Sequence, residues 1–338
     1  MGHEFTWHYP VIFYLYLAGM GAGAVTIGAY SYLTSVAYGG HHYHYFRMAR
    51  FGALLGPIPV ILGVALLILE LGQPSRPLNL FKVINLSPMS IGSWFLLVFM
   101  VTSLVYGSTF LPSFKPEKYD SLIKRLLPVQ HTLSLINIPL GIGVAVYTGI
   151  LLGAMPSRPL WNSPILALLF LVSAMSTGIA VIIMARSIFH TRSDAAEPNR
   201  RIRIRGRRMA AKRPGRRYHE TGYLLATTDL VLIGTELLVI FLFIMFAHLT
   251  VGNLKYAIET ILPGGEMAVT FWVWVIVVGL VIPALAELFT VLPRLLYNVP
   301  FQAHRSVEFL VSLAVLIGGF MLRYVIVIAG QITGPMGI

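Results

Sequence analysis

Four carboxylic acids lie inside apolar stretches of the chain, where an ionised side chain is unfavourable. They are Asp229, Glu236, Glu287 and Glu308. A charged residue at the centre of a membrane helix costs about 2.5–3.5 kcal/mol, so such residues usually have a partner or a function. Asp229 and Glu236 are seven residues apart, which places both on one face of a helix. The acids predict either a path for protons or a polar clamp that holds helices together.

A second group of polar residues lies where apolar stretches end. The sequence Pro-Ser-Arg-Pro-Leu occurs twice, at 74–78 and at 156–160. The first copy follows Glu70 and the second follows Tyr147. Proline at these positions also fits a simple role as a helix stop. The repetition at two span ends nevertheless predicts two loops that flank one entrance.

Aromatic residues open the first apolar stretch, among them Tyr14, and His8 precedes it. Most Trp and Tyr residues at such depths belong to the ordinary interfacial belt. A tyrosine, a histidine, a carboxylate and two arginines on one face could also hold a redox-active carbonyl compound. A quinone head group needs a hydrogen-bond donor for each oxygen and a group nearby that exchanges protons.

The elements that carry these residues are membrane helices. Hydrophobic residues make up 57% of the 338 residues and charged residues 11%, and the mean hydropathy is +0.77. A soluble domain has about a quarter of its residues charged. Eight stretches are long and apolar enough to cross a bilayer, so the sequence predicts an all-α polytopic membrane protein. The predicted spans are 11–37, 52–70, 91–111, 132–153, 164–189, 223–248, 267–290 and 306–329.

The distribution of charge predicts the orientation of these spans. Twelve of the 25 lysines and arginines lie between Arg186 and Arg217. Such a run in a membrane protein favours a cytoplasmic loop near anionic lipid, or a contact with a partner, over nucleic-acid binding. The loops after spans 1, 3, 5 and 7, together with the nearby helix ends, hold 20 basic residues, and the other side holds five. Both termini are therefore expected on the outer, periplasmic side. The five basic residues of that side are Arg76, Lys82, Arg158, Lys255 and Arg323.

Metal-ligating residues are few. The sequence has no cysteine, which excludes a cysteine-ligated iron–sulfur cluster or zinc site within these residues. Its ten histidines lie in loops or near span ends, so a haem with two histidine ligands could be placed only at a span end. If an iron–sulfur cluster takes part in the chemistry, a partner carries it.

Four segments resemble, in order and spacing, the NrfD/PsrC family of integral membrane subunits. They read WHYPVIFYLYLAGMGAG (7–23), ELGQPSRP (70–77), SPMSIGSW (87–94) and YTGILLGAMPSRPLWN (147–162). The resemblance covers the first five spans, about half of the sequence. Beyond them mainly the number and length of the spans agree.

The resemblance implies a quinol-oxidising or quinone-reducing subunit with two four-helix bundles and no haem or iron–sulfur cluster of its own. It implies a bacterial or archaeal cytoplasmic membrane, and menaquinone or ubiquinone as the substrate. A ferredoxin-like [4Fe-4S] subunit would dock at the outer face and lead to a molybdopterin catalytic subunit or a multihaem cytochrome. The protein is then expected to divide into the first bundle with span 5 (1–190), a basic cytoplasmic loop (191–222) and three further spans of the second bundle (223–338).

Site residues follow from the resemblance position by position. Tyr147 matches the family tyrosine that holds the quinone, and Glu70 matches an acidic residue at the end of span 2. An asparagine and a histidine of the family correspond to Pro10 and Tyr14, which is a departure from the family pattern. Tyr14 or His8 is expected to hold the second quinone oxygen, and Glu70 to move protons. Four residues are expected to orient the outer loops, stabilise negative charge on the quinone or hold the partner: Arg76, Arg158, Trp161 and Asn162.

Two further hypotheses remain open at this point. The intramembrane acids could make the protein a proton or ion transporter, alone or together with quinone chemistry. The protein could instead be a passive anchor for a peripheral redox enzyme, in which case it would bind no quinone.

Overall fold

The computed structural model describes most of the sequence, and every structural statement below concerns these residues. They are 7, 9–37, 43–70, 87–111, 116–189, 214–250, 252–297, 301 and 304–334. Within helices, the side chains of 43–44, 70, 88, 116–120, 122–124 and 214–220 are not described. His8, Arg76 and most of the basic segment after span 5 lie outside the described residues.

All regular elements in the described ranges are helical, and eight helices are long and apolar enough to cross a membrane. This confirms the predicted number of spans and their order. Spans 1 to 4 are Tyr9–Ala37, the pair Tyr43–Leu55 and Pro57–Glu70, Pro88–Ser108, and Pro116–Gly153. Spans 5 to 8 are Pro164–Ile188, Pro214–Leu249, the pair Thr270–Val281 and Ile282–Tyr297, and Arg305–Ile332. A short helix, Asn253–Glu259, lies between spans 6 and 7.

Some boundaries differ from the predicted ones. The helix of span 6 begins at Pro214, so the end of the segment predicted as a loop (191–222) is helical. Span 7 is displaced towards the C-terminus, and its first half is a π-helix, Thr270–Val281. The change to α-helix occurs at Ile282, immediately before Pro283, which has no N–H to donate to the preceding turn.

Proline begins several of these helices. Pro88 and Pro164 stand at the first helical position, where the missing N–H has no intrahelical partner in any case. The hydroxyl of Ser87 also caps its helix by accepting a hydrogen bond from the backbone N–H of Ser90 (3.2 Å). The loops before spans 3 and 5 therefore end at defined residues.

Spans 1 and 5 form the centre of the molecule. Span 1 packs on spans 2, 4 and 5, while span 5 also packs on spans 4, 6 and 8. The two central spans cross at Gly23 and Gly178, where an added Cβ would overlap the backbone of the other helix. Gly21 allows a similar approach to span 2 at Gly56. Small residues in span 1 thus permit close helix packing, as is usual in membrane proteins.

Both ends of the described part of the protein lie at one face of the bundle, which we call the terminal face. There the backbone N–H of Trp7 donates to the side-chain oxygen of Gln331 (3.0 Å), and the amide of Gln331 donates back to the Trp7 carbonyl (3.1 Å). The other end of the bundle is called the opposite face. Arg323, one of the five basic residues assigned to the outer side, is fully buried within span 8, nine residues before the helix ends. It therefore adds no charge to the surface of the terminal face.

Candidate functional site

Both tyrosines expected to bind a quinone, Tyr14 and Tyr147, lie near the terminal face. Tyr14 lies five residues after the start of span 1, and Tyr147 lies six residues before the end of span 4. At 1.5 Å per residue, both are roughly 8–9 Å below the terminal face. The two phenol groups are close enough to interact electrostatically. Tyr14 is 1% exposed and Tyr147 is 9% exposed.

A glycine of span 3 makes room for Tyr147. A Cβ added at Gly92 would overlap the aromatic ring of Tyr147. Gly92 follows the Ser87 cap by little more than one helical turn, so the cap and the proline after it fix the height of Gly92. The ring of Tyr147 is therefore held between spans 3 and 4 by close backbone approach. Sequence analysis missed Gly92, although it lies in one of the segments that carry the family resemblance.

The other predicted quinone ligands are only partly described. Glu70 is the last residue of span 2, so its backbone lies at the terminal face, but its side chain lies outside the description. His8 and Arg76 lie outside the described residues. Their roles stay predictions.

The second Pro-Ser-Arg-Pro-Leu loop is bonded to the end of span 8. Nη1 of Arg158 donates to the carbonyl of Gln331 at 2.8 Å and to that of Gly330 at 3.4 Å. The last carbonyls of a helix have no intrahelical donor, and a cation at this end also interacts favourably with the helix dipole. Arg158 therefore joins the loop between spans 4 and 5 to the C-terminal end of span 8.

Trp161 completes this connection. Its indole N–H donates to the carbonyl of Ile326 (2.8 Å), and its ring lies against Gly330, where a Cβ would overlap it. Trp7 stacks on Trp161 with 5.0 Å between ring centroids. Trp161 is fully buried, whereas the neighbouring Asn162 is exposed. Of these two residues, only Asn162 has a side chain that is accessible at the terminal face.

The four intramembrane acids lie in series with two arginines and two serines, and we call this series the polar column. Its members are linked by hydrogen bonds or by electrostatic interaction. It runs through spans 5 to 8. Its members, from the terminal side to the opposite face, are Arg323, Ser173, Glu236, Ser176, Asp229, Glu287, Glu308 and Arg186.

Arg323 forms the terminal-side end of the polar column. It lies nine residues before the end of span 8, or about 14 Å below the terminal face. Its Nη1 donates to the hydroxyl of Ser173 (2.6 Å) and to the carbonyl of Gly319 (2.8 Å). Glu236 lies near both Ser173 and the charge of Arg323. The acid and the arginine thus compensate each other inside the membrane.

Two carboxyl groups meet in the middle of the polar column. The hydroxyl of Ser176 donates to Oδ1 of Asp229 at 3.0 Å. The carboxyl group of Asp229 also lies within interaction range of that of Glu287 on span 7. Both acids are buried.

A buried ion pair forms the end at the opposite face. Nη2 of Arg186 donates to Oε1 of Glu308, joining the last turn of span 5 to the first turn of span 8. A Cβ added at Gly222 would meet both the guanidinium of Arg186 and the ring of Phe301. Glu308 also interacts electrostatically with Glu287, so this ion pair continues the polar column.

Sequence analysis identified the four acids but not the two arginines and the two serines between them. Arg186 and Arg323 each lie within ten residues of a helix end, where a basic residue usually belongs to the adjoining loop. Ser173 and Ser176 are three residues apart, which places both hydroxyls on one face of span 5. That spacing was a usable signal, but it does not say which acids the hydroxyls meet.

Among the described residues, no group of three or more His, Asp or Glu side chains is arranged to hold a metal ion.

Comparison with protein families gives a match over nearly the whole sequence. The matching family is described as polysulphide reductase, NrfD, and it covers residues 1–213 and 208–335. The similarity therefore extends beyond the first five spans, where the sequence motifs alone had placed it.

Individual relatives agree with this match. The protein is 31% identical over 342 residues to the protein NrfD homolog of Haemophilus influenzae, covering 97% of this sequence and 95% of the relative. It is 28% identical over 339 residues to one of the chains of polysulfide reductase from Wolinella succinogenes, covering 96% and 94%. It is 26% identical over 344 residues to protein NrfD of Escherichia coli, covering 97% and 95%.

Proposed function

Because the protein belongs to the polysulphide reductase NrfD family of membrane subunits, we propose that it exchanges electrons between membrane quinone and a partner protein. The observation that carries this proposal is the pair Tyr14 and Tyr147 near the terminal face. Two phenol groups at one depth are suited to two oxygens of a quinone head group, since each O–H donates a hydrogen bond to a carbonyl oxygen. The small residue Gly92 leaves room for the ring that supplies one of them.

In this proposal Tyr147 donates to one quinone oxygen, and Tyr14 or His8 donates to the other. Oxidation of a quinol releases two electrons and two protons, and reduction of a quinone takes up the same number. The protons require a group that exchanges with the solvent, and Glu70 at the end of span 2 is proposed for this role. The electrons pass to or from a cofactor of the partner.

The partner is proposed to be an iron–sulfur subunit that docks on the terminal face. One relative is a chain of polysulfide reductase, so its own name places it in a complex with other proteins. A ferredoxin-like [4Fe-4S] subunit, followed by a molybdopterin subunit or a multihaem cytochrome, fits a sequence that has no cysteine. The exposed Asn162 lies on the face where such a partner would meet the quinone site.

The terminal face is proposed to be the outer side of a bacterial or archaeal cytoplasmic membrane. The basic residues support this orientation, because the segment that follows span 5 at the opposite face holds about half of them. In the same proposal the helices form two bundles. Span 5 packs on spans of both halves, so it would join them.

The variant Tyr147→Phe tests the quinone proposal in the assembled complex. It removes one hydroxyl and keeps the ring that fits against Gly92. Loss of one hydrogen bond costs about 1–1.5 kcal/mol, so we expect quinol-dependent turnover at low quinol concentration to fall roughly 5- to 10-fold. Electron transfer from an artificial donor to the partner should stay unchanged.

The matched control is Tyr256→Phe, because Tyr256 is exposed on the short helix between spans 6 and 7. If Tyr147→Phe and the control have equal turnover and equal affinity for a quinone-analogue inhibitor, Tyr147 does not bind quinone. If the wild-type complex binds no quinone analogue at all, the protein is a passive anchor and the proposal is wrong.

We propose a second function for the polar column, the transfer of protons across the membrane during quinone turnover. The observation that favours it is the series of four buried acids from Glu236 to Glu308. A polar clamp would need neighbouring helices to be joined, but it would not need buried acids at successive depths down to the opposite face. Glu236 lies nearest to the terminal face among these acids.

Proton release in proteoliposomes tests this second function. We expect Glu236→Gln to reduce the number of protons moved per quinol to the number that quinone chemistry alone releases. The exposed Glu259 provides the control variant Glu259→Gln, which should leave the ratio unchanged. A wild-type ratio that already equals that of quinone chemistry would contradict transfer through the polar column.

A further inference from the structure

We propose that Asp229 and Glu287 bind one exchangeable proton between them, so that the pair carries a single negative charge inside the membrane. This inference deepens the proton-transfer proposal and rests on it, because it names the group in the polar column that stores the proton. Four features support it: the contacts of the two carboxyl groups, their burial, the charges around them and the position of the pair between other acids.

One oxygen atom of each carboxyl group lacks a hydrogen-bond donor among the described residues. Oδ1 of Asp229 accepts from Ser176 at 3.0 Å. Among the described residues, neither Oδ2 of Asp229 nor Oε2 of Glu287 has a hydrogen-bond donor, and both atoms are buried. The two side chains nevertheless lie within interaction range of each other, since spans 6 and 7 pack together. Two ionised carboxylates can only accept, so these two groups can hydrogen-bond to each other only if one of them carries a proton.

Burial makes the doubly ionised pair unfavourable. Asp229 is 0% exposed and Glu287 is 5% exposed. When two carboxylates share one site, the second negative charge is opposed by the first and by the lack of solvent. A single shared proton removes one charge and gives both unpartnered oxygens a hydrogen bond.

The charges around the pair reinforce this conclusion. Glu236 lies two turns away on the same helix, and Glu308 faces Glu287 from span 8. The arginines of the polar column are engaged with these flanking acids: Arg323 interacts with Glu236, and Arg186 pairs with Glu308. Span 2 also packs on span 6 and carries Arg47 and Arg50, each of which lies over the ring of Phe51.

The position of the pair suits exchange of its proton. The pair lies between span 6 and span 7, with Glu236 on the terminal side and Glu308 on the side of the opposite face. A proton received from one side can be released to the other without a second proton in the pair. The pair would therefore hold one proton at rest and pass one at a time.

Infrared difference spectroscopy of the full-length protein tests the inference directly. The purified complex in lipid, without quinone, is titrated from neutral to alkaline pH, and the C=O band of protonated carboxyl groups is recorded in H₂O and in D₂O. We expect a carboxyl band in the wild type that shifts in D₂O. It should be absent from both Asp229→Asn and Glu287→Gln, because an amide donor lets the remaining acid ionise. The double variant should lose no more than either single variant.

Matched variants keep the test decisive. Asp229→Glu retains two acids and should retain the band, and the exposed Glu259→Gln should not change it. If the double variant loses twice the band of a single variant, the acids are protonated independently and the inference is wrong. If only one single variant loses the band, the proton is not shared, which also overturns it.

A cation is the alternative occupant of this site. If the carboxyl band appears only when Na⁺ is omitted from the buffer, a sodium ion and not a proton joins the two carboxylates, and the inference fails. None of these results depends on quinone turnover. A failure of the quinone proposal would therefore leave the band unaffected, and a missing band would leave the Tyr147 test intact.

Discussion

Tyr147 owes its position to Gly92, a residue without a side chain. The ring fills the space that a Cβ of Gly92 would occupy, so any larger residue must displace either the ring or span 3. A displacement that costs about 1–3 kcal/mol is typical of an overpacked site. At the level of single residues, the candidate quinone site therefore depends on Gly92 as well as on the polar groups proposed to contact the substrate.

We expect Gly92→Ala to weaken quinol binding roughly 5- to 150-fold, because a free-energy cost of about 1–3 kcal/mol corresponds to that change in affinity. The measurement is the apparent KM for quinol in the assembled complex, together with the affinity for a quinone-analogue inhibitor. The change should appear mainly in KM, since Gly92 positions Tyr147 and does not itself exchange a proton.

The control is Gly234→Ala, because a Cβ at Gly234 meets no atom within 4 Å. This variant should bind quinol as the wild type does. Equal KM values for Gly92→Ala and Gly234→Ala would show that Tyr147 is not confined by span 3.

Some of these single residues could be predicted from the sequence, and others could not. Tyr14, Tyr147 and the four acids could be found because their types are unusual at their depth in a membrane. Arg323 could not, since a charge close to the end of an apolar stretch is usually assigned to a loop. Its bond to Ser173 joins residues 150 positions apart, and no local pattern encodes such a distance.

Helix ends are the elements that organise the terminal face. The loop 154–163 is short, and Arg158 and Trp161 bond it to the last two turns of span 8. Trp7, just before span 1, adds its ring to the same contact. Thus span 1 and spans 4, 5 and 8 are connected at the face where the quinone is proposed to bind.

We expect Arg158→Ala to destabilise the protein by about 1.5–3 kcal/mol, because hydrogen bonds from a charged group to two carbonyls are lost. The measurement is the apparent Tm in detergent, which should fall by several degrees. Arg158→Lys should have a Tm between those of the wild type and Arg158→Ala, since lysine keeps the charge but not the fork of donors.

The variant Asn162→Ala controls for the loop, because Asn162 is exposed and its replacement should not change the Tm. If Arg158→Ala leaves the Tm unchanged and instead weakens partner binding, Arg158 acts mainly as a docking residue.

The elements were predictable in number and order, because about 20 apolar residues are needed to cross a bilayer and eight such stretches exist. Their ends were less predictable. Helices such as Pro116–Gly153 and Pro214–Leu249 continue well beyond the apolar stretch, where hydropathy gives no signal. The π-helical half of span 7 also has no distinct composition, since Thr270–Val281 is apolar like the other spans.

For the whole molecule, the uneven charge sets the expected orientation. Of the five basic residues expected on the terminal side, Arg323 is buried within span 8, and Arg76 and Lys82 lie outside the described residues. Arg158 in turn is bonded to the end of span 8. The segment after span 5, at the opposite face, is strongly basic and would face anionic cytoplasmic lipid.

The absence of cysteine makes this orientation directly measurable, because any introduced cysteine is the only thiol in the sequence. Asn162 is exposed at the terminal face, and Ser121 is exposed near the start of the span 4 helix at the opposite face. We expect a membrane-impermeant maleimide to label Asn162→Cys in intact cells, and to label Ser121→Cys only in inverted vesicles. The unmodified protein should not react in either preparation.

The two positions are separated by span 4 alone, so their labelling must differ if that helix crosses the membrane. Labelling of both from one side would mean that span 4 does not cross. The reverse pattern would place the terminal face in the cytoplasm, and the proposed quinone site and docking face would then lie on the inner side. The same two variants therefore test the span assignment and the direction from which protons reach Tyr147 and the polar column.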